Sequence, residues 1–242
     1  MLDPKDFANQ VIDSCSSTND LCRVLGEKAY PHGSWVSSRM QERGRGRQGR
    51  NWESMKGNLF LSILIRPPSG FQQLSWSSLG SAIGVHQELK NQFPTLEVKI
   101  KWPNDIYVNN AKLGGILCEG VGNSSAMFLI VGIGLNVSQS PKDFTQMTVS
   151  LSEILAEKVL VDLLREGIIR SVLECFKKLF LESPGFIAKY YQKHSQITPG
   201  MKIEWEGNSG SVIGLGPSGE LLVRGTNEEV TSLYAEDVKI QP

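Results

Sequence analysis

No two cysteines in this 242-residue chain have the CxxC spacing of a metal or redox motif. Only three histidines are available to help the four scattered thiols, Cys15, Cys22, Cys118 and Cys175, hold a metal. The scatter predicts reduced thiols in a cytoplasm-like compartment. Cys118, in the apolar run Gly115-Ile116-Leu117-Cys118, is expected to be buried. No apolar run reaches the roughly 18 residues of a membrane span, and the opening MLDPKDFANQ is polar and slightly acidic, so neither anchor nor signal or transit peptide is expected. Charge of one sign is also lacking. Twenty-five basic residues balance 25 acidic ones, which leaves no overall field to draw the chain to nucleic acid or an anionic membrane, so any anion site must be local. What is present, 40% apolar and 21% charged residues, is ordinary globular composition. The length fits one full-sized domain, alone or with a small appendage.

Residues 17–29 open with the helix-capping types Ser-Thr-Asn-Asp and continue with Leu21, Val24 and Leu25 at helical spacing, which predicts a helix ending before Pro31. Trp35 to Met40 and the almost wholly apolar Leu59 to Ile65 read as strands, the second central in a sheet. A helix is expected over 74–92, short strands over 97–101, 105–108, 113–120 and 126–135, and helices over 161–181 and 186–193. Beyond Ile197-Thr198-Pro199-Gly200 the texture changes to short alternating runs joined by Gly, Ser and Asn, the pattern of a small β-barrel. The expected division is therefore a mixed α+β domain over 1–194 and a small C-terminal barrel over 195–242.

Half of the ten arginines lie between Arg39 and Arg50, and four alternate with glycine in Arg43-Gly44-Arg45-Gly46-Arg47-Gln48-Gly49-Arg50. Glycine lets successive N–H groups turn inward as an anion nest, and guanidinium forks add bidentate bonds to phosphate or carboxylate. Composition alone is equally compatible with an RGG-like nucleic-acid tail or a solvated charge run. Position between two predicted strands favours a ligand pocket. The spacing matches neither the P-loop nor the dinucleotide fingerprint.

A second constellation runs Lys101-Trp102-Pro103-Asn104-Asp105 and then Lys112-Leu113-Gly114-Gly115-Ile116-Leu117. Pro103 interrupts pairing at a strand end and places Asn104 and Asp105 at a bend, where a carboxylate can face a ligand or hydrated Mg²⁺. Lys112 opens a glycine and aliphatic run, and in such a low-dielectric setting its attraction to a phosphate oxygen approaches ~4 kcal/mol, against ~1 in open water. Taken apart from the arginine loop, both are ordinary hairpin residues.

Taken together, GRGRxGRxW at Gly44 to Trp52, KWPND at Lys101 to Asp105 and KxxGIL at Lys112 to Leu117 resemble the biotin–protein ligase family in order and spacing. Ser17-Thr18-Asn19 and Gly132-Ile133-Gly134-Leu135-Asn136 match as well, and the resemblance covers about residues 12–240. It implies a class II synthetase-like mixed sheet with packed helices, an SH3-like C-terminal barrel, and chemistry in two steps. Biotin carboxylate attacks the α-phosphate of ATP to give biotinyl-5'-AMP and pyrophosphate, and an acceptor lysine of a biotin carboxyl carrier domain then attacks the acyl carbon.

By the same resemblance, Ser17, Thr18, Asn19 and Gln41 would bind the ureido head of biotin, with Arg45, Gly46, Arg47, Lys112, Gly114 and Gly115 completing the biotin site. Arg45, Arg47, Arg50, Trp52, Asn104, Asp105, Lys112 and Asn136 would hold ATP, with Trp52 a wall of the site or simply a core residue. Lys112, Arg47 and Asp105 would serve catalysis, and Asp105 would serve Mg²⁺. No general base for the acceptor lysine stands out. The arginine loop would act as a lid retaining the labile adenylate.

Only about sixteen residues precede Ser17, too few for the helix-turn-helix of repressor relatives, so DNA binding is not expected. Tyr234 stands where some relatives carry arginine, which leaves open what the barrel does for nucleotide closure. The rivals are a lipoate-type ligase, which shares the chemistry but typically lacks both GRGRxGR and KWPND, a nucleic-acid-binding module and a non-catalytic biotin binder. A homodimer is compatible with the sequence, which does not decide it.

Overall fold

The computed structural model describes residues 3–123, 126–142 and 146–241; positions 1, 2 and 242 of the expected division lie outside them. In chain order the elements are β1 Gln10–Ile12, α1 Thr18–Glu27, β2 Trp35–Ser38, β3 Leu59–Ile65, α2 Ser77–Gln92, β4 Val98–Lys101, β5 Asp105–Val108, β6 Ala111–Asn123, β7 Ala126–Leu135, α3 Leu151–Leu155, α4 Val161–Leu181 and α5 Gly185–His194. The C-terminal strands are β8 Lys202–Trp205, β9 Asn208–Leu215, β10 Leu221–Gly225, β11 Val230–Leu233 and β12 Lys239–Ile240.

The first seven strands form one sheet in the order β1-β2-β3-β7-β6-β5-β4, antiparallel except for the β1–β2 pair. Alternation along β3 divides the molecule. Leu59, Leu61, Ile63 and Ile65 face the main core with α2 and α4, whose Ile83, Leu89, Leu164, Ile168 and Phe176 fill it. Leu64 faces the other side, where α1 contributes Cys22 and Leu25 to a smaller core with Phe128 and Ile130. The functional cavity lies on that second face, beside α1, where the sheet is bare of large side chains.

The last five strands make an antiparallel sheet in the order β11-β10-β9-β8-β12, in the place of the expected barrel. Its Ile203, Val212, Leu221 and Val223 belong to the main core, and two indoles tie it to the larger sheet: Trp76 donates to the Pro217 carbonyl at 3.2 Å and Trp102 to that of Gly219 at 3.0 Å. Two expectations are corrected. Cys118 is half-buried rather than buried, at the margin of the main core with its thiol 3.6 Å from the Ser81 hydroxyl of α2, and the Ser17–Asn19 cap differs from expectation, since Ser17 takes the N-cap position with no side-chain capping bond. The four cysteines are free thiols. Among the described residues no helix is long and apolar enough to cross a membrane.

Candidate active site

The floor of the cavity is made of glycine. In the β6–β7 pair, Gly115 lies opposite Gly134 and Leu117 opposite Gly132, so both site-facing positions of β7 lack side chains. The indole of Trp52 rests on this floor: a methyl group at Gly134 would come within 2.5 Å of its ring, and one at Gly115 within 3.2 Å. Trp52 is thus a wall of the cavity, and its Nε1 is buried without a protein partner. The cavity volume is about 350 Å³, the size of a small-molecule site.

A β-bulge sets the charged end. Asp105 pairs with Gly115 and Ile106 with Gly114, but Tyr107 pairs with Lys112, which leaves Leu113 as an extra residue in β6. Regular alternation would put Lys112 on the face of Gly114; the bulge turns it to the face of Gly115 and Asp105. There Lys112 Nζ lies 2.8 Å from the Asp105 carboxylate and 5.8 Å from the centre of the Trp52 ring, with both charged side chains less than one-fifth exposed. Gly114 accordingly points into the core, where a methyl group would meet Leu135 at 2.2 Å; it does not line the cavity, contrary to expectation. Asn104, on the turn between β4 and β5, spends its amide on the Ile116 carbonyl and accepts from Arg47 at 2.9 Å. Buried Asn136 lines the cavity beside Lys112.

The opposite end is neutral and polar. Gln41 Oε1 accepts from the Thr18 backbone N–H at 2.8 Å and lies 3.0 Å from the Thr18 hydroxyl. This fixes the carboxamide with its Nε2 free to donate. Gly44 is required here, since a methyl group would approach the Trp52 carbonyl oxygen at 2.6 Å and Gln41 Nε2 at 3.0 Å. Ser17 presents an uncapping hydroxyl to the same end.

Between these ends the arginine loop folds over the cavity. Its turn at Arg47–Gly49 has left-handed backbone at Gln48 (φ 54°) and Gly49 (φ 73°), and closes with Gly46 N–H donating to the Arg50 carbonyl at 2.8 Å. Arg45 is held by the Asp20 carboxylate through two bonds of 2.6 and 3.0 Å, and this hydrogen-bonded pairing raises its pKa. Arg47 reaches Asn104 and the Ala235 carbonyl, Gln48 donates to the same carbonyl at 3.2 Å, and Arg50 pairs with Asp237. Burial lowers the pKa of the Arg47 guanidinium. Whereas Tyr234 is exposed, its neighbours Ala235 and Asp237 are what the C-terminal sheet brings to the loop.

One cavity therefore collects Ser17, Thr18, Asn19, Gln41, Arg45, Gly46, Arg47, Arg50, Trp52, Asn104, Asp105, Lys112, Gly115 and Asn136. Sequence reasoning missed Asp20, Ser62, Glu119 and Asp237, and gave Gly132 and Gly134, though they stand in a matching motif, no place in the site. The alternating glycines of Gly132-Ile133-Gly134 were a usable signal, since a buried strand gains nothing from glycine unless something must approach its backbone. Among the described residues no group of three or more His, Cys, Asp or Glu is placed to hold a metal, and the Asp105 carboxylate is paired with Lys112.

The fold is thus a seven-stranded mixed sheet with helices on both faces and a glycine-floored cavity, charged at one end and neutral and polar at the other. The chain belongs to the biotin/lipoate A/B protein ligase family, whose model matches residues 11–136, and is an enzyme of the ligase type. It is 32% identical over 251 residues to the bifunctional ligase/repressor BirA of Bacillus subtilis, covering 94% of this chain and 72% of that protein. To the biotin–[acetyl-CoA-carboxylase] ligase of Mycobacterium tuberculosis it is 32% identical over 149 residues, 60% of this chain and 54% of that one. In fold it resembles the biotin protein ligase of Aquifex aeolicus solved with biotin and ATP, with a TM-score of 0.82 at 24% identity over 96% of this chain and 98% of that one.

Proposed function

We propose that the chain joins biotin to ATP as biotinyl-5'-AMP and transfers the biotinyl group to a lysine of a biotin carboxyl carrier domain. The observation that carries this reading is the polarity of the cavity: Thr18 and Gln41 offer hydrogen bonds at one end, and Lys112, Asp105 and Arg47 offer charge at the other. A cyclic urea matches the first end, and a carboxylate meeting a phosphate matches the second. The dithiolane of lipoate offers no acceptor to Gln41 Nε2, the amide donor that its bonds to Thr18 leave facing the cavity. The named relative from Mycobacterium tuberculosis supports a carboxylase carrier as acceptor.

In this reading Lys112 lies between the biotin carboxylate and the α-phosphate. Its cation lowers the repulsion of two anions as the carboxylate oxygen bonds to phosphorus and pyrophosphate leaves. Asp105 holds the ammonium in place, and Trp52, Asn136 and Arg50 border the nucleotide. Arg47 and the N–H groups around Gly46 cover the mixed anhydride until the acceptor amine attacks the acyl carbon and AMP departs. Mg²⁺ enters as the counter-ion of ATP, bound by phosphate oxygens. The division into domains of 1–194 and 195–242 and a cytoplasmic setting belong to the same reading.

Pyrophosphate release on adding biotin and MgATP is the test. Release that requires biotin and does not occur with lipoate is expected; release with lipoate alone would move the assignment to the other branch of the family.

A further inference from the structure

Thr18 and Gln41 do not stand alone. Buried Ser62 of β3 places its hydroxyl 2.8 Å from Thr18 Oγ1 and 2.6 Å from Asn19 Oδ1, while Asn19 Nδ2 donates to the Glu119 carboxylate at 2.6 Å. Arg23 and Arg45 flank that carboxylate at 3.7 and 3.8 Å. Asn19 lies flat on the sheet only because residue 132 is glycine, where a methyl group would sit 2.2 Å from Oδ1.

We propose that Glu119 is a positioning residue that sets the direction of the whole chain of hydrogen bonds and so makes Thr18 an acceptor toward the ligand. The two ends of an asparagine amide are nearly the same shape, and only their partners distinguish them. A carboxylate flanked by two guanidinium groups only accepts, so Asn19 Nδ2 must face it and Oδ1 must face Ser62. The single Ser62 proton then goes to Oδ1, so Ser62 donates nothing to Thr18, whose own proton goes to Gln41 Oε1 at 3.0 Å or to Ser62. No protein donor is left aimed at Thr18 Oγ1, whose lone pairs face the cavity and take a ureido N–H. Were Asn19 reversed, Ser62 would donate to Thr18 and compete with the ligand for those lone pairs.

This inference rests on the function proposed above, and calorimetric titration with biotin together with steady-state kinetics separates the two. Glu119→Gln, whose amide no longer dictates the orientation of Asn19, should raise the biotin KM and Kd about tenfold, the worth of one charge-assisted hydrogen bond, with kcat and the ATP KM little changed. Asn19→Asp, which sets two carboxylates against each other, should raise them further. The double variant, Asn19→Asp with Glu119→Gln, restores an acceptor toward Ser62 and a donor–acceptor pair at 119. It should recover most of the biotin affinity of the wild type, a non-additivity that loss of packing would not produce. An unchanged biotin KM in Glu119→Gln, or losses that simply multiply in the double variant, would overturn the proposal while leaving the function intact. A wild-type chain that binds no biotin would overturn the function and this inference with it.

Discussion

Lys112 and Asp105 show how one extra residue brings a cation and a carboxylate together on the cavity face. Without the bulge at Leu113 the ammonium would point into an aliphatic core, and with it the ammonium is 2.8 Å from a carboxylate on the cavity face. Replacing Lys112 by glutamine keeps the length but removes the charge that the developing anion requires, and should lower the single-turnover rate of pyrophosphate release by about 10²–10³-fold. A loss under threefold would show that Lys112 is a binding residue only. The motifs were legible as residue types, because Arg, Lys, Asp and Gly in these runs have few other uses. Facing was not legible. Gly114 and Gly115 read identically, and only the strand register shows that the first packs on Leu135 and the second on Trp52. Supporting residues were also hidden: Asp20, Ser62 and Glu119 are ordinary in an amphipathic helix and two strands, and their importance comes from partners up to a hundred residues away.

Among the elements, long periodic ones were the readable ones. β3, β7 and α4 fall where apolar runs and helical spacing place them, whereas β1 and α3, of three and five residues, are too short to carry a period. β6, Ala111–Asn123, begins earlier than expected because Ala111 and Lys112 pair with β5, and runs later because hairpin pairing with β7 continues to Asn123. The arginine loop lies across the cavity, its outer edge fastened through Arg47 and Gln48 to Ala235 and through Arg50 to Asp237, and as the proposed lid it can be tested by two substitutions. Arg47→Gly should increase release of free biotinyl-5'-AMP in a single-turnover assay without acceptor. Asp237→Asn, which weakens the exposed outer contact alone, should act in the same direction by a smaller factor, about two- to fivefold for an ion pair of this exposure. Unchanged release in Arg47→Gly would remove the lid role; an effect in Asp237→Asn larger than that of Arg47→Gly would place the fastening of the loop above its cover of the ligand.

For the whole molecule, the balance of 25 basic and 25 acidic residues left the decision to local features, and the fold brings Arg45, Arg47, Arg50 and Lys112 to one glycine-floored cavity. The change of texture near residue 195 was legible, and the strands beyond it do form an all-β unit. Its shared core with the larger sheet was not, since the indoles of Trp76 and Trp102 meet the Pro217 and Gly219 carbonyls only through the tertiary fold. A cavity with a neutral polar end, a charged end and a loop across it should make and keep one mixed anhydride. Mass spectrometry under non-denaturing conditions, after incubation with biotin and MgATP and removal of free ligand, measures this directly. Protein carrying the added mass of one biotinyl-5'-AMP is the predicted result. Protein that retains no adenylate under these conditions, or carries lipoyl-AMP when offered both acids, would contradict it.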